Sequence, residues 1–131
     1  MKKRLCAIRG ACFCENTPES IQKNVADMCR QLFSKNHLKT QDLVSIHFTM
    51  TRSLDCLNAA SALRKSDVGL DVSRVPLFVS QEALTKGSPD KAIRVLVTAY
   101  MKKHRVAKSV YINGAESLRA DLFASKATGE E

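Results

Sequence analysis

Val44-Ser45-Ile46-His47-Phe48-Thr49-Met50 alternates apolar and polar side chains without a break. Successive residues of a strand point to opposite faces, so the stretch predicts a half-buried strand. Val44, Ile46, Phe48 and Met50 turn inward, and Ser45, His47 and Thr49 turn outward. His47 is expected to be a surface or interface histidine, because no ligand partner lies near it in sequence. Upstream, Thr17-Pro18-Glu19-Ser20 combines an N-cap hydroxyl, a proline at the first helical position and an acidic first turn. Ile21, Val25, Met28, Leu32 and Phe33 then form one helical stripe that closes at Asn36-His37. Before that helix, residues 4–14 read as a strand. Downstream, residues 53–65 read as a second helix, Val75–Val79 as a third strand entered through Pro76, and Gly87-Ser88-Pro89-Asp90 as a turn. Ile93, Val95, Val97 and Ala99 share one face of a fourth strand, with Arg94, Leu96, Thr98 and Tyr100 on the other. Lys108–Asn113 reads as a fifth. The order β-α-β-α-β-β-β predicts a single α/β domain, a mixed sheet with two helices on one side. Its uncovered face then needs a partner.

The 131 residues suit one domain, and 44% apolar with 26% charged residues is ordinary globular composition. Five Phe, two Tyr and no Trp leave a modest core, a second reason to expect an oligomer. No apolar run approaches the ~20 residues that cross a membrane. Met1-Lys2-Lys3-Arg4 imitates the charged end of an export signal, but the apolar stretch after it stops at Arg9. The expected location is therefore cytoplasmic. Cys6, Cys12, Cys14, Cys29 and Cys56, an odd number, read as reduced thiols, the first three as small buried fillers. Cys12-x-Cys14 lacks zinc spacing, so no metal site is expected.

A formal charge of +8 attracts anions of any kind. Its clusters, Lys2-Lys3-Arg4 and Lys102-Lys103-His104-Arg105, have no interleaved aromatic residues for base stacking and read as solvated faces. A nucleic-acid-binding role would rest on charge alone, and none is expected. No nucleophile–base pair, carboxylate dyad or glycine-rich phosphate loop is present. What stands out is charge inside apolar strand text: Arg9 in Ala7-Ile8-Arg9-Gly10-Ala11, Arg94 in Ala92-Ile93-Arg94-Val95-Leu96-Val97, and Glu82 just past Val75–Val79. A guanidinium against an apolar wall bonds anions strongly. The simpler explanation is an edge-strand charge or a structural Arg94–Glu82 ion pair.

Several tags fall in one order: Ile8-Arg9-Gly10-Ala11, Glu15, Thr17-Pro18-Glu19, Ala59 and Arg64, Val75-Pro76 leading to Gln81-Glu82, Gly87-Ser88, Ile93-Arg94-Val95-Leu96, Val110-Tyr111 and Leu118-Arg119-x-Asp121-Leu122. Together they resemble the monofunctional chorismate mutases of the small trimeric α/β-barrel class, from about residue 5 to 122. The resemblance implies a chorismate-mutase-like domain over residues 1–122, a polar and loose tail over 123–131, and a homotrimer forming a pseudo-α/β barrel. It implies conversion of chorismate to prephenate in aromatic amino-acid biosynthesis, a pericyclic rearrangement without cofactor or covalent intermediate.

Residue by residue, the same resemblance gives Arg94 the ether oxygen of the substrate and Glu82 its ring hydroxyl. Arg9 and Tyr111 hold a carboxylate, Arg64 stands at the cleft mouth, and Arg119, with Leu118, belongs to the segment that covers the site. Asn58, Phe78 and Val79 fall on the pocket wall and depart from the family pattern. Asn58 stands where an aromatic residue is common, Phe78 where a smaller polar one is, and Val79 where cysteine is frequent, leaving only a main-chain contact there. In this family each site lies between neighbouring subunits. Two further readings are a dicarboxylate-binding trimer without useful catalysis, motivated by those three departures, and a trimeric enamine or imine deaminase-like enzyme.

Overall fold

The computed structural model describes residues 2–119. Its strands are β1 (Lys3–Phe13), β2 (Leu43–Met50), β3 (Leu77–Gln81), β4 (Ala92–Lys102) and β5 (Val110–Ile112); its helices are α1 (Pro18–Lys35) and α2 (Ala59–Arg64). Short 3-10 turns span Thr40–Asp42 and Ala115–Arg119. The sheet order is β3-β2-β4-β1-β5. β4 runs antiparallel to both neighbours, while β2–β3 and β1–β5 are parallel pairs. β1 and β2, joined through α1, thus leave a gap that β4 fills, a split β-α-β arrangement.

Period-two patterning decides which face the helices cover. Ile8 and Cys12 of β1, Ile46 and Phe48 of β2, and Ile93, Val95 and Val97 of β4 are buried in one core with Ile21, Val25, Met28, Leu32 and Phe33 of α1 and Ala59, Ala62 and Leu63 of α2. Among the described residues no helix covers the opposite face, and Leu5, Leu96, Tyr100 and Phe78 stand exposed there. The buried cysteines behave as fillers: burial pushes the Cys29 thiol up to about 12 and that of Cys14 to about 11, and raises Cys12 as well. Thiols so held are not nucleophiles near neutral pH.

The first helix starts as its sequence predicts, with Thr17 Oγ1 accepting from the Ser20 amide at 3.1 Å. Four details differ. The second helix begins at Ala59 rather than near 53, because Asn58 is its cap, accepting from Ala60 and Ser61. The amides of Asp55 and Cys56 are taken by Asn16 Oδ1 at 3.1 and 3.2 Å, a partner far away in sequence. The third strand is displaced to Leu77–Gln81, anchored by Ile46 N on Pro76 O and Glu82 N on Met50 O. The fifth shrinks to Val110–Ile112, since Asn36 takes both main-chain groups of Lys108. Val44, expected inside, is 40% exposed because the β2–β4 register shifts between Leu43 and Ser45. The expected tail over 123–131 lies outside the described residues.

Gly10 sits where β1, β4, β5 and α1 converge. A Cβ there would lie 2.9 Å from Val95 Cγ1, 3.1 Å from the Val110 carbonyl oxygen and 3.3 Å from Leu32 Cδ1. Gly10→Ala is therefore expected to cost about 1–3 kcal/mol through overpacking, seen as a lower urea midpoint at unchanged slope. Asp42, with its side chain 6% exposed, receives Lys3 Nζ at 2.5 Å and the Lys39 amide at 2.9 Å. Burial opposes its ionisation, but these two donors outweigh it and hold the carboxyl below its usual range. That stabilisation is present above the unfolded carboxyl's pKa of ~3.9 and drains away as pH falls through the lower folded value. Asp42→Asn should flatten the acid limb of the stability–pH curve; an unchanged limb would remove Asp42 from it.

Candidate active site

Register alone brings the strand charges together on the open face. Arg94 of β4 lies between Ala11 of β1 and Thr49 of β2, and Tyr111 of β5 pairs with Ala11 on the far side. One row along, Arg9, Leu96, His47 and Phe78 form the next line across four strands. The chain leaves β3 at Glu82, whose amide is held by Met50 O at 2.8 Å. These elements enclose a pocket of about 320 Å³ lined by Arg9, Gly10, His47, Thr49, Glu82, Arg94, Val95, Leu96, Tyr111 and Arg119. Three guanidiniums face one carboxylate there, an excess of two positive charges in a partly apolar wall. Such a pocket suits a small dianion with an apolar body.

Arg94 and Glu82 form its charged centre. Arg94 Nε lies 3.5 Å from Glu82 Oε1, with the side chains 39% and 29% exposed. The same Glu82 oxygen accepts a short hydrogen bond from Thr49 Oγ1, which pins the carboxylate from the β2 side. Arg94 Nε is buried and makes no hydrogen bond within the described structure. A buried donor without an acceptor is costly, and a ligand oxygen within reach would satisfy it. His47 Nε2 is 2.8 Å from Ser80 Oγ, and its ring meets Phe78 edge-on at 5.9 Å.

A second hollow of about 380 Å³ lies beyond Glu82, lined from the 51–53 and 83–90 segments. Arg52, Glu82 and Asp90 share its lining, and Asp90 accepts from Ser53 Oγ at 2.6 Å and the Lys91 amide at 2.8 Å. Those two bonds hold the Asp90 carboxyl below its usual range, so it stays charged. With two carboxylates for one arginine, this hollow disfavours an anion. Among the described residues no cluster of His, Cys, Asp and Glu could hold a metal.

Of the residues singled out in the sequence, Arg94, Glu82, Arg9, Tyr111 and Arg119 line the one pocket. Leu118 packs against the small cluster of Ala11, Tyr111 and Ala115 beside it. Phe78 is 69% exposed at the rim of the open face. Val79 points the other way, packed on the helix-side core, so only its main chain can serve this side of the sheet. Asn58 and Arg64 lie at the two ends of α2, whose buried residues join the core on the covered face, and neither lines the pocket of its own chain. Thr49, His47 and Leu96 line it without having been singled out. The outward row of β2 was visible in the alternation, but not its alignment with Arg94 and Glu82.

Comparison with known proteins identifies the family. The family model "Chorismate mutase type I" matches residues 5–122. The chain belongs to the type I chorismate mutase family. It is similar to "Chorismate mutase AroH" of Bacillus subtilis (strain 168), at 29% identity over 123 residues, spanning 92% of this chain and 94% of that one. A solved structure, "Chorismate mutase from Clostridium thermocellum Cth-682", superposes with a TM-score of 0.74 at 31% identity, covering 86% of this chain and 98% of that one. The mixed α/β fold is thus that of a chorismate mutase, and the deaminase-like reading is not favoured. Within this member of the family, the Thr49 hydroxyl is expected to couple to Glu82. A double-mutant cycle of Thr49→Val and Glu82→Gln, read by urea unfolding, should return about 1 kcal/mol of interaction, with Thr49→Ser retaining most of it. A coupling indistinguishable from zero would mean that Thr49 does not hold Glu82.

Proposed function

We propose that this protein is a chorismate mutase, an isomerase that rearranges chorismate to prephenate and so serves phenylalanine and tyrosine synthesis. The observation that carries the reading is the buried Nε of Arg94, ion-paired with Glu82 but without a hydrogen bond among the described residues, in a pocket with two excess positive charges, in a chain of this family. Chorismate is a dicarboxylate, and the breaking C–O bond leaves negative charge on its ether oxygen. Arg94 donates to that oxygen. Glu82, steadied by Thr49, accepts from the ring hydroxyl with its other oxygen. Arg9 and Tyr111 hold one carboxylate, and Arg119 and Leu118 close the pocket from the C-terminal side.

A pericyclic step shuttles no proton, so no histidine or thiol catalyst and no cofactor is required. Two effects then supply the rate. Holding the folded conformer removes orientational freedom, and a fixed guanidinium favours the more polar transition state over the substrate. One preorganised donor of this kind is worth ~2.7–4 kcal/mol, a large share of the ~8 kcal/mol behind a ~10⁶-fold acceleration.

The assembly belongs to the same proposal. Leu5, Leu96, Tyr100 and Phe78 are 55%, 42%, 44% and 69% exposed on the helix-free face, a large apolar area for a monomer to leave in water. A homotrimer covers it, and a neighbour's α2 brings Arg64 and Asn58 to the pocket that their own chain keeps from them. Residues 1–122 act as the catalytic domain in the cytoplasm, and residues 123–131 are its tail. Among the described residues no helix is long and apolar enough to cross a membrane.

The test follows the loss of chorismate's ultraviolet absorbance with purified protein. Arg94→Ala is expected to lower turnover by at least about 10²–10³-fold. Arg94→Lys should recover little of it, because an ammonium lacks the planar fork. Mixing Arg94→Ala chains with Arg64→Ala chains should restore a fraction of sites if these are shared between subunits. A folded wild-type trimer without turnover would replace this reading with dicarboxylate binding alone.

A further inference from the structure

The basic run at residues 102–105, which reads as a solvated face in sequence, does not end as one. After β4 the chain turns at Arg105, whose amide bonds Lys102 O at 3.0 Å and whose carbonyl receives Arg4 Nη2 at 2.9 Å. It then returns along the end of α1, where Asn36 locks it: Asn36 Oδ1 accepts from the Lys108 amide at 2.7 Å and Asn36 Nδ2 donates to Lys108 O at 3.0 Å. The result is a pocket of about 260 Å³ lined by Lys35, His37, His104, Arg105 and Lys108, with no acidic side chain among the described residues of its lining.

Two observations separate this pocket from a merely solvated patch. None of the five basic residues makes an ion pair among the described residues, so no described carboxylate offsets the charge they bring to one hollow. Arg105 Nε is moreover buried with no hydrogen-bond acceptor. Nor are the cations consumed in capping α1. The carbonyls of Leu32, Phe33 and Ser34 already accept from the amides of Asn36, Leu38 and His37, and Leu32 also from Asn36 Nδ2. Like charges gathered without a counter-charge repel, and the backbone holding them is fixed at both ends.

We propose that this pocket is a binding site for a small phosphate-bearing anion. A guanidinium fork beside two ammonium groups matches the several acceptor oxygens of a phosphate dianion. The volume is several times the ~30 Å³ share of a water molecule, room for a phosphate and a few carbon atoms. The site is separate from the Arg94 pocket. Met101, which borders the basic pocket, is seven positions along β4 from Arg94, about 23 Å on an extended strand.

The test is calorimetric titration of the full-length protein at fixed ionic strength with inorganic phosphate, and separately with glycerol 3-phosphate. One site per chain is expected, persisting in Arg94→Ala and weakened at least about tenfold in Arg105→Gln and in the surface variant Lys108→Gln. Tighter binding of glycerol 3-phosphate points to a phosphorylated metabolite as the occupant, and equal or tighter binding of inorganic phosphate to the free ion. The proposal is overturned if binding survives both basic-pocket variants, if it is lost in Arg94→Ala instead, or if neither probe binds. It is also overturned if the face retards a DNA or RNA duplex at physiological salt while neither small anion competes.

Discussion

β4 is the strand on which everything else depends. It is central, paired along its length with β1 on one side and β2 on the other, so its side chains have only two directions to take. Ile93, Val95 and Val97 go into the helix-covered core, and the same pleat obliges Arg94 and Leu96 to the open face. A register slip of one residue would drive the guanidinium into the core and expose the apolar row, which is why the register is strongly specified. The candidate catalytic charge is placed by the same constraint that builds the core.

That constraint carries a cost that the surroundings offset unequally. Glu82 takes one hydrogen bond from Thr49 and stands beside Arg94, while Arg94 Nε remains without an acceptor. Natural folds pair nearly all such buried donors, and the exceptions concentrate where a ligand completes the set. Arg9, Tyr111 and Arg119 gather round the same point from β1, β5 and the turn after β5. β1 is separated from β5 and its following turn by most of the chain, and the parallel β1–β5 pair brings them together. A pocket assembled from long-range pairings is rigid where the sheet is rigid, which suits chemistry that depends on fixed dipoles more than on moving protons.

The two faces of the sheet have opposite roles. The helix side is closed by a core of medium-sized residues, with cysteines filling the gaps and Gly10 allowing α1 to approach. The other side combines cations with exposed Leu5, Leu96, Tyr100 and Phe78. At the far end of β4 a different group of cations collects around Arg105. The excess of eight positive charges is therefore not spread evenly; part of it is committed to two separate hollows.

Local patterning determined a good deal by itself. Alternation in residues 45–50 and the period-two row Ile93, Val95, Val97 and Ala99 fixed strand type and inward face, and Thr17-Pro18-Glu19 fixed the start of α1, because strand pleat and helix capping depend only on near neighbours. Charges inside apolar strand text were enough to single out Arg9, Glu82 and Arg94, and the ordered tags from Ile8 to Leu122 were enough to suggest the family. Tertiary structure alone decided the rest. Asn16 takes the amides that would otherwise have begun α2 near residue 53, Asn36 cuts β5 short, and a bulge turns Val44 outward. Each of these partners is remote in sequence or depends on another strand's register. Thr49 entered the site for the same reason: its place opposite Arg94 exists only once β2 and β4 are paired. Asn58 and Arg64 lie on the covered side of the sheet because a residue's position along a helix says nothing of which face of the sheet the helix will pack on.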